Sequence, residues 1–169
     1  MHMGDAFADE FQRCTIILQP GEGEVVPGPV GPMIIIKAMR EDTGGIIGVF
    51  ESIIAPKNGP PVHFHRNADE TFYVLQGMFK FRVGEKVFNA APGTFIFVPR
   101  YVAHAFLNIG HDFGRLLVIY TPGGLEVAAA EQARMMGHMS DPSEILEPGM
   151  VKALAQKYDS EFVGPPLET

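Results

Sequence analysis

The central part of the chain, about residues 45–121, alternates short runs of β-branched and aromatic residues with glycine- and proline-rich turns. Short runs of this kind bounded by turn residues are typical of antiparallel β structure, and Gly84-Glu85 provides a tight hairpin turn between two of them. The pattern predicts a mainly β fold, either a double-sheet jelly roll or a small barrel. We expect strands at residues 71–76, 78–83, 86–89, 94–98, 103–108 and 114–120.

The segments on either side of this core differ in composition. Upstream, β-rich runs at residues 14–18, 33–39 and 45–54 predict N-terminal strands within residues 14–54, separated by glycine- and proline-rich loops. Downstream, residues 125–139 are rich in alanine and methionine, which favours a helix. We therefore expect one domain over residues 1–169, in which a β core is followed by helices.

Two further features predict helices in the C-terminal extension, residues 125–160. The stretch Asp141-Pro-Ser-Glu144 is typical of a capped helix start. Val151, Leu154, Ala155 and Tyr158 follow at helical spacing and would form one packing face. We expect these helices to cover one end of the β core or to contact a partner subunit.

Three histidines and one glutamate occur where a β fold could bring them together. His63 and His65 are separated by one residue, so in a strand both side chains lie on the same face. A polar, turn-compatible segment follows, and Glu70 then begins a new strand that can return beside the histidines. His104 lies in a later strand entered through a proline. The set predicts a site for one divalent transition metal ion, Fe, Mn, Ni, Co, Cu or Zn.

The two motifs around these residues resemble those of the cupin superfamily, specifically the single-domain cupins. The resemblance covers about residues 59–121. Two positions depart from the family pattern, because Gly59 stands closer to His63 than the family's glycine does and Tyr101 occupies a usual glycine position. The matching residues are His63, His65, Glu70 and Gly77 in the first motif, and Gly93, Pro99, His104 and Asn108 in the second.

This resemblance implies a fold and several possible activities. The implied fold is a double-stranded β-helix, the jelly-roll cupin barrel, and family resemblance also raises the expectation of a homodimer. The implied activity that we favour is quercetinase-like dioxygenation of a small-molecule substrate, with O2 as co-substrate and Glu70 as the catalytic base. Isomerase, cyclase or lyase chemistry without a redox step is one alternative, and ligand binding without catalysis is another.

Strand alternation also predicts a pocket beside the metal site. Counting from Glu70, Phe72 and Val74 lie on its face, and counting from His104, Phe106 and Asn108 do the same. A cavity built from these four residues would be largely apolar and would suit an aromatic or enol-bearing molecule.

Composition and charge narrow the classes of partner. The net charge of −7 argues against nucleic acid as a partner. The chain has a single cysteine, Cys14, so no disulfide can form within it. No apolar run is long enough to span a bilayer and no signal peptide is evident, so we expect a cytoplasmic protein that does not bind membranes. The apolar strands at residues 33–39 and 45–54 would leave a sheet edge open, which favours a homodimer.

Overall fold

The structure is a computed structural model that describes residues 14–28, 31–128, 130–131 and 148–169. The described residues form strands that alternate with short turns, and helical structure appears only after the last of the central strands. The strands are β1 (Glu24–Val26), β2 (Met33–Ala38), β3 (Gly48–Ile54), β4 (Pro61–His65), β5 (Asp69–Gln76), β6 (Phe79–Val83), β7 (Lys86–Ala90), β8 (Phe95–Val98), β9 (His104–Asn108), β10 (Gly114–Thr121) and β11 (Ser160–Pro166), and the helix α1 spans Pro148–Lys157.

The strands form two antiparallel sheets. One sheet has the order β1-β2-β3-β10-β5-β8 and the other has the order β11-β4-β9-β6-β7. Among the described residues, no hydrogen-bonded strand pair joins the two sheets into a closed ring. The mainly β jelly-roll fold expected from the sequence is therefore confirmed, as a pair of facing sheets rather than a closed barrel.

Side-chain alternation along the strands places one face of each sheet in a shared core. In β10, Leu116, Val118 and Tyr120 are buried while the residues between them are partly exposed. In β5, the same alternation buries Glu70, Phe72 and Val74. The antiparallel register sets Tyr120 opposite Glu70 and sets Val118 opposite Phe72. The polar members of these two strands therefore share one end of the core.

An aromatic cluster fills the other end. Phe72, Phe79, Phe81 and Phe106 are buried, and their ring centroids lie 5.3 to 6.2 Å apart. Most of these pairs meet edge to face or at a tilt, which is the arrangement that aromatic quadrupoles favour. This end of the core is closely packed.

The predicted strand at residues 14–18 was wrong. Among the described residues these have no strand partner, and Ile17 is 77% exposed although it is β-branched and apolar. The backbone N–H of Cys14 donates to the carbonyl oxygen of Asp42 at 2.8 Å. Local β propensity does not form a strand when no neighbouring strand supplies hydrogen bonds.

The C-terminal segment is part helical and part extended. Residues 125–128 and 130–131 are helical, and α1 places Leu154 on a helix as expected, whereas Tyr158 lies in the turn that follows Lys157. The predicted helix start at residues 141–144 lies outside the described residues. β11 was not predicted, because Gly164-Pro-Pro166 lacks a strand-like alternation, yet it pairs with β4 so that Ser160 is opposite His65 and Phe162 is opposite His63. None of the described helices is long and apolar enough to cross a membrane.

Candidate metal centre

Three strands bring the four predicted ligands together at one end of the core. β4 supplies His63 and His65, β9 supplies His104 directly opposite His63, and β5 supplies Glu70 from the facing sheet. One possible ligand atom from each residue lies within 4.8 Å of the others. Glu70 Oε2 is 2.9 Å from His65 Nε2 and 2.8 Å from His104 Nε2.

The outer ring nitrogens of the three histidines all have partners away from the centre. His63 Nδ1 lies 2.8 Å from the carbonyl oxygen of Pro61, and His104 Nδ1 lies 2.9 Å from that of Val102. A carbonyl oxygen only accepts, so both Nδ1 atoms carry hydrogen and the neutral rings present an Nε2 lone pair inward. His65 Nδ1 lies 2.8 Å from Ser160 Oγ of β11.

This arrangement fits a cation. In the neutral tautomer His104 Nε2 is an acceptor, and the Glu70 carboxylate 2.8 Å away is an acceptor too, so a proton or a metal ion must lie between them. Imidazole nitrogens and a carboxylate oxygen form a mixed set that suits first-row transition metals. Partners on the outer nitrogens are typical of metal-ligating histidines. The cluster could therefore bind a metal, and its donor set accepts several.

The electrostatics of the metal-free site keep Glu70 charged. Burial alone would raise its pKa, but the contacts with His104 and His65 outweigh burial and hold the pKa of Glu70 well below its ordinary value. For His104, burial lowers the pKa and the Glu70 carboxylate raises it more, so the net shift is upward. Burial, reinforced by repulsion from His104 and His65, lowers the pKa of His63 to about 3. His63 is thus a neutral nitrogen donor at physiological pH.

Tyr120 belongs to the site, and the sequence did not single it out. It lies opposite Glu70 across the β10–β5 pair, and its ring meets that of His65 edge to face at 5.5 Å. Burial, the Glu70 charge and a hydrogen bond with Glu70 raise the pKa of Tyr120 well above its ordinary value, so the phenol keeps its proton. The alternation of Leu116 and Val118 in β10 was the signal that could have placed Tyr120 on the inner face.

A cavity of about 210 Å³ lies beside these residues. His63, His65 and Glu70 line it, whereas His104 is 1% exposed and does not line it. The strands add aromatic, aliphatic and hydroxyl-bearing side chains, and the helical residues close another side. These further lining residues are Phe50, Ser52, Pro60, Phe72, Phe106, Val118 and Tyr120 from the central region, and Leu125, Ala128, Leu154, Ala155, Tyr158, Ser160 and Phe162 from the C-terminal segment.

Of the four residues predicted to form the pocket, two line this cavity. Phe72 and Phe106 do, and Val74 and Asn108 lie elsewhere. Val74 follows Phe72 toward the filled end of the core, where it is fully buried opposite Leu116. The Asn108 amide donates to the carbonyl oxygens of Ile54 and Asp112 at 3.0 and 2.9 Å. Alternation predicted which side chains share a face of the sheet, but it did not predict which end of the strand lines the cavity.

The turn before His104 keeps the backbone conformation that a glycine would favour. Tyr101 has φ of +66°, in the left-handed region that a side chain rarely adopts. Its N–H donates to the carbonyl oxygen of His65 at 2.7 Å, which ties this turn to the strand that carries two of the ligands. The substitution of tyrosine for the family's glycine is therefore accommodated without loss of the turn.

Comparison with known proteins supports the cupin superfamily. Residues 50–120 match the Cupin domain family. Two solved structures with similar folds are an RmlC-like cupin from Shewanella frigidimarina and the polyketide cyclase RemF from Streptomyces resistomycificus. The first is 17% identical, covers 69% of this chain and 99% of its own, and has a TM-score of 0.56. The second is 19% identical, covers 64% of this chain and 80% of its own, and has a TM-score of 0.55.

A curated relative matches over a shorter stretch. This is the uncharacterized protein SCO3923 of Streptomyces coelicolor, which is 37% identical over 54 residues, or 32% of this chain. The chain spans about half the length of this relative, 50%. At the identities of the two solved structures the likeness concerns the fold, so the residues of the site have to carry the argument about activity.

Proposed function

We propose that this chain, with its cupin fold and its His/Glu cluster, is a metal-dependent dioxygenase of the quercetinase-like type that acts on a small aromatic or enol-bearing substrate. One observation carries the proposal: His63, His65, Glu70 and His104 converge within 4.8 Å beside a cavity whose other walls are largely apolar. Three imidazoles and one carboxylate leave coordination positions free for small molecules, unlike the closed ligand sets of structural zinc sites.

In this proposal Glu70 is the catalytic base. A divalent metal held by the four side chains would lower the pKa of a bound substrate hydroxyl. Glu70 is anionic in the metal-free site and can accept that proton, but a carboxylate is a weak base. It can therefore deprotonate only an acidic hydroxyl, such as that of an enol or a catechol. This requirement favours enols and catechols over simple alcohols as substrates.

The remaining walls position the substrate and exclude water. Phe50, Phe72 and Phe106 present aromatic surface to the cavity, on which a flat ring can pack. Excluding water strengthens the electrostatic interactions of Glu70 within the site. In a ring-opening dioxygenation the substrate bonds that break supply the electrons that reduce O2, so the reaction needs no separate reductant and no second cofactor.

Isomerase, cyclase or lyase chemistry is a second candidate, and Tyr120 favours it. The phenol keeps its proton while the neighbouring Glu70 stays charged, so a hydrogen-bond donor and a base lie side by side at the cavity. In such a pair Glu70 can move a proton between two positions of one substrate without O2, while the Tyr120 hydroxyl donates a hydrogen bond to the substrate oxygen that gains negative charge. Turnover under anaerobic conditions would identify this chemistry, and saturable binding without product would identify a binding protein.

The test compares the wild-type protein with Glu70→Gln, each reconstituted with the metal that the purified protein holds. The assay follows oxygen uptake and product formation with catechols and flavonols, and metal content is measured by elemental analysis. We expect oxygen uptake that matches substrate loss, and a decrease of at least about 100-fold in Glu70→Gln with metal retained. Glu85→Gln, in an exposed turn, is the matched control. Unchanged turnover in a metal-retaining Glu70→Gln protein would contradict the role of Glu70 as the base.

A further inference from the structure

We infer that the cavity selects uncharged substrates of one or two rings, and that Leu154 of α1 and Tyr158, one residue beyond α1, set the upper limit of size. This inference rests on the proposed function, because it assumes that the substrate binds beside the His/Glu cluster. It departs from what quercetinase-like activity would suggest, since flavonols have three rings.

The first argument is volume. The cavity measures about 210 Å³. A closed apolar cavity of about 150 Å³ is large enough to hold benzene, whereas pockets for drug-sized ligands measure about 300–1,000 Å³. The present cavity is larger than the benzene-sized cavity and smaller than the pockets for drug-sized ligands. It can hold a single ring or two fused rings, whereas a three-ring flavonol would have to leave part of its apolar surface in solvent, which weakens its binding.

The second argument is charge. Among the described residues, no lysine or arginine side chain lines the cavity. A divalent ion together with the Glu70 carboxylate has one positive charge in excess, which one deprotonated substrate oxygen neutralises once its proton has passed from Glu70 to solvent. A carboxylate or phosphate elsewhere on the substrate would be buried without a partner, and burying an unpaired charge is costly. The walls therefore favour a substrate whose only acidic group is the hydroxyl that reaches the site.

The third argument is that two of the hydroxyls on the walls already have partners in the protein. The Tyr158 hydroxyl donates to Glu131, and Ser160 Oγ is hydrogen-bonded to His65. Polar groups of a substrate that lie far from the ligand cluster would lose their hydrogen bonds to water and would find few hydrogen-bond partners in the protein. A largely apolar ring system loses little by entering such a cavity.

The fourth argument is that the helical wall is held in place. Leu125 and Ala128 come from the first helical segment, Leu154 comes from α1, and Tyr158 follows the end of α1. Glu131 joins the two, because Lys157 Nζ lies 2.8 Å from both of its carboxylate oxygens and Tyr158 donates to it as well. Leu154 is 8% exposed, so its side chain is fixed by packing. These contacts hold the helical wall in place, so the wall limits the length of a bound substrate.

The test is a binding measurement, so it does not depend on turnover. Zinc-loaded protein is titrated calorimetrically with catechol, with a dihydroxynaphthalene that carries adjacent hydroxyls, with a catechol that carries a carboxylate, and with a flavonol. We expect the dihydroxynaphthalene to bind at least about 10-fold more tightly than the carboxylated catechol and the flavonol. Equal affinity for the flavonol would overturn the size limit, equal affinity for the carboxylated ligand would overturn the charge argument, and no binding at all would overturn both.

Two variants with opposite effects test the role of α1. Leu154→Ala should enlarge the cavity and raise flavonol affinity at least about 10-fold, with little effect on catechol. Ala155→Leu should narrow the cavity and weaken dihydroxynaphthalene binding by a similar factor while catechol still binds. Val163→Ala, at a residue 49% exposed on β11, is the control. If neither variant changes the order of ligands, α1 does not set the size limit.

The same samples separate this inference from the proposed function. If the ligands bind in the expected order but the protein loaded with a redox-active metal consumes no oxygen, the proposed dioxygenase fails and the inference stands. If oxygen is consumed with flavonols as readily as with two-ring substrates, the proposed function stands and the inference fails.

Discussion

The two ends of the space between the sheets are built from the same strands and hold different chemistry. At one end, Phe79 and Phe81 are fully buried against other rings. At the other end, Glu70 and His104 are also buried, at 4% and 1% exposure, but they lie beside a cavity. In β5 the side chain of Phe72 separates the two ends, because it contacts Phe81 on one side and His104 on the other.

The two ends differ in what they contribute to the stability of the protein. Packed rings remove apolar surface from water and contribute to the free energy of folding. A buried carboxylate and three buried imidazoles cost desolvation free energy, which their mutual contacts offset only in part. The filled end therefore stabilises the fold, whereas the polar end, at a cost in stability, brings together a cluster that could bind a metal.

The largest expected effect is a loss of stability when a side chain of the filled end is removed. Phe81→Ala should lower the free energy of unfolding by about 3–5 kcal/mol, because it leaves a cavity in the aromatic cluster. The folded variant should keep the metal content of the wild type. Denaturant titration and elemental analysis measure the two quantities. Phe95→Ala, at a residue 64% exposed, is the control and should change stability by less than about 0.5 kcal/mol. Loss of metal in folded Phe81→Ala would break the distinction between the ends.

The next effect is a pH dependence that only the polar end should show. The pKa of His63 falls from 6.5 in the unfolded chain to about 3 in the folded protein, so the unfolded chain binds the extra proton between these values. His63 therefore lowers the stability of the metal-free protein as pH falls below 6.5. One proton corresponds to about 1.4 kcal/mol per pH unit.

His104 has the opposite sign, so a variant is needed to isolate His63. The raised pKa of His104 adds stability below 6.5 that is lost as pH rises through its folded pKa. Urea unfolding in the presence of a chelator, between about pH 4 and 7, measures the free energy of unfolding. This free energy should fall less on acidification in His63→Gln than in the wild type. His111→Gln, in an exposed turn, should behave as the wild type. Identical profiles for all three proteins would contradict the burial of a neutral His63.

A smaller effect tests how β11 supports the polar end. Ser160→Ala removes the hydroxyl that lies 2.8 Å from His65 Nδ1, so it should weaken metal binding by about 10-fold. Ser160→Thr keeps the hydroxyl and should retain most of the affinity. Competition with a chromogenic chelator measures both. Equal loss in the two variants would assign the effect to packing of β11 rather than to the hydrogen bond.

The smallest effect concerns the turn before His104, at the polar end. Tyr101→Gly should change the free energy of unfolding by less than about 1 kcal/mol, because relief of the left-handed conformation offsets the greater freedom of the unfolded chain. Tyr101→Val should destabilise by about 1–2 kcal/mol, because a β-branched residue tolerates this conformation poorly. Thermal unfolding compares the two variants, and equal values would contradict the strain at this position.

The sequence predicted the central strands well because their information is local. Alternation and turn residues are visible within a few positions, and they also placed His63, His65 and Glu70 where a metal could join them. The same rule gave a wrong prediction at residues 14–18, whose apolar residues pair with no strand in the described part of the chain. The homodimer and the cytoplasmic location stay predictions.

The missed parts of the site depend on long-range contacts. β11 carries a glycine and two prolines, so nothing local marks Gly164-Pro-Pro166 as part of a strand. Its pairing with β4 brings Ser160 to His65 across 95 positions of sequence. Val74 and Asn108 show the complementary limit, because alternation gives the face of a strand and tertiary packing decides which end of that face lines a cavity.

Elemental analysis of the purified protein beside His63→Ala/His104→Ala tests the metal site most directly. The two histidines face each other across the β4–β9 pair, so the double variant removes ligands from both strands. The account predicts near-stoichiometric Fe, Mn, Ni, Co, Cu or Zn in the wild type, after reconstitution if necessary, and its loss in the folded double variant. A wild type that binds none of these ions, or a double variant that binds as much as the wild type, would contradict it.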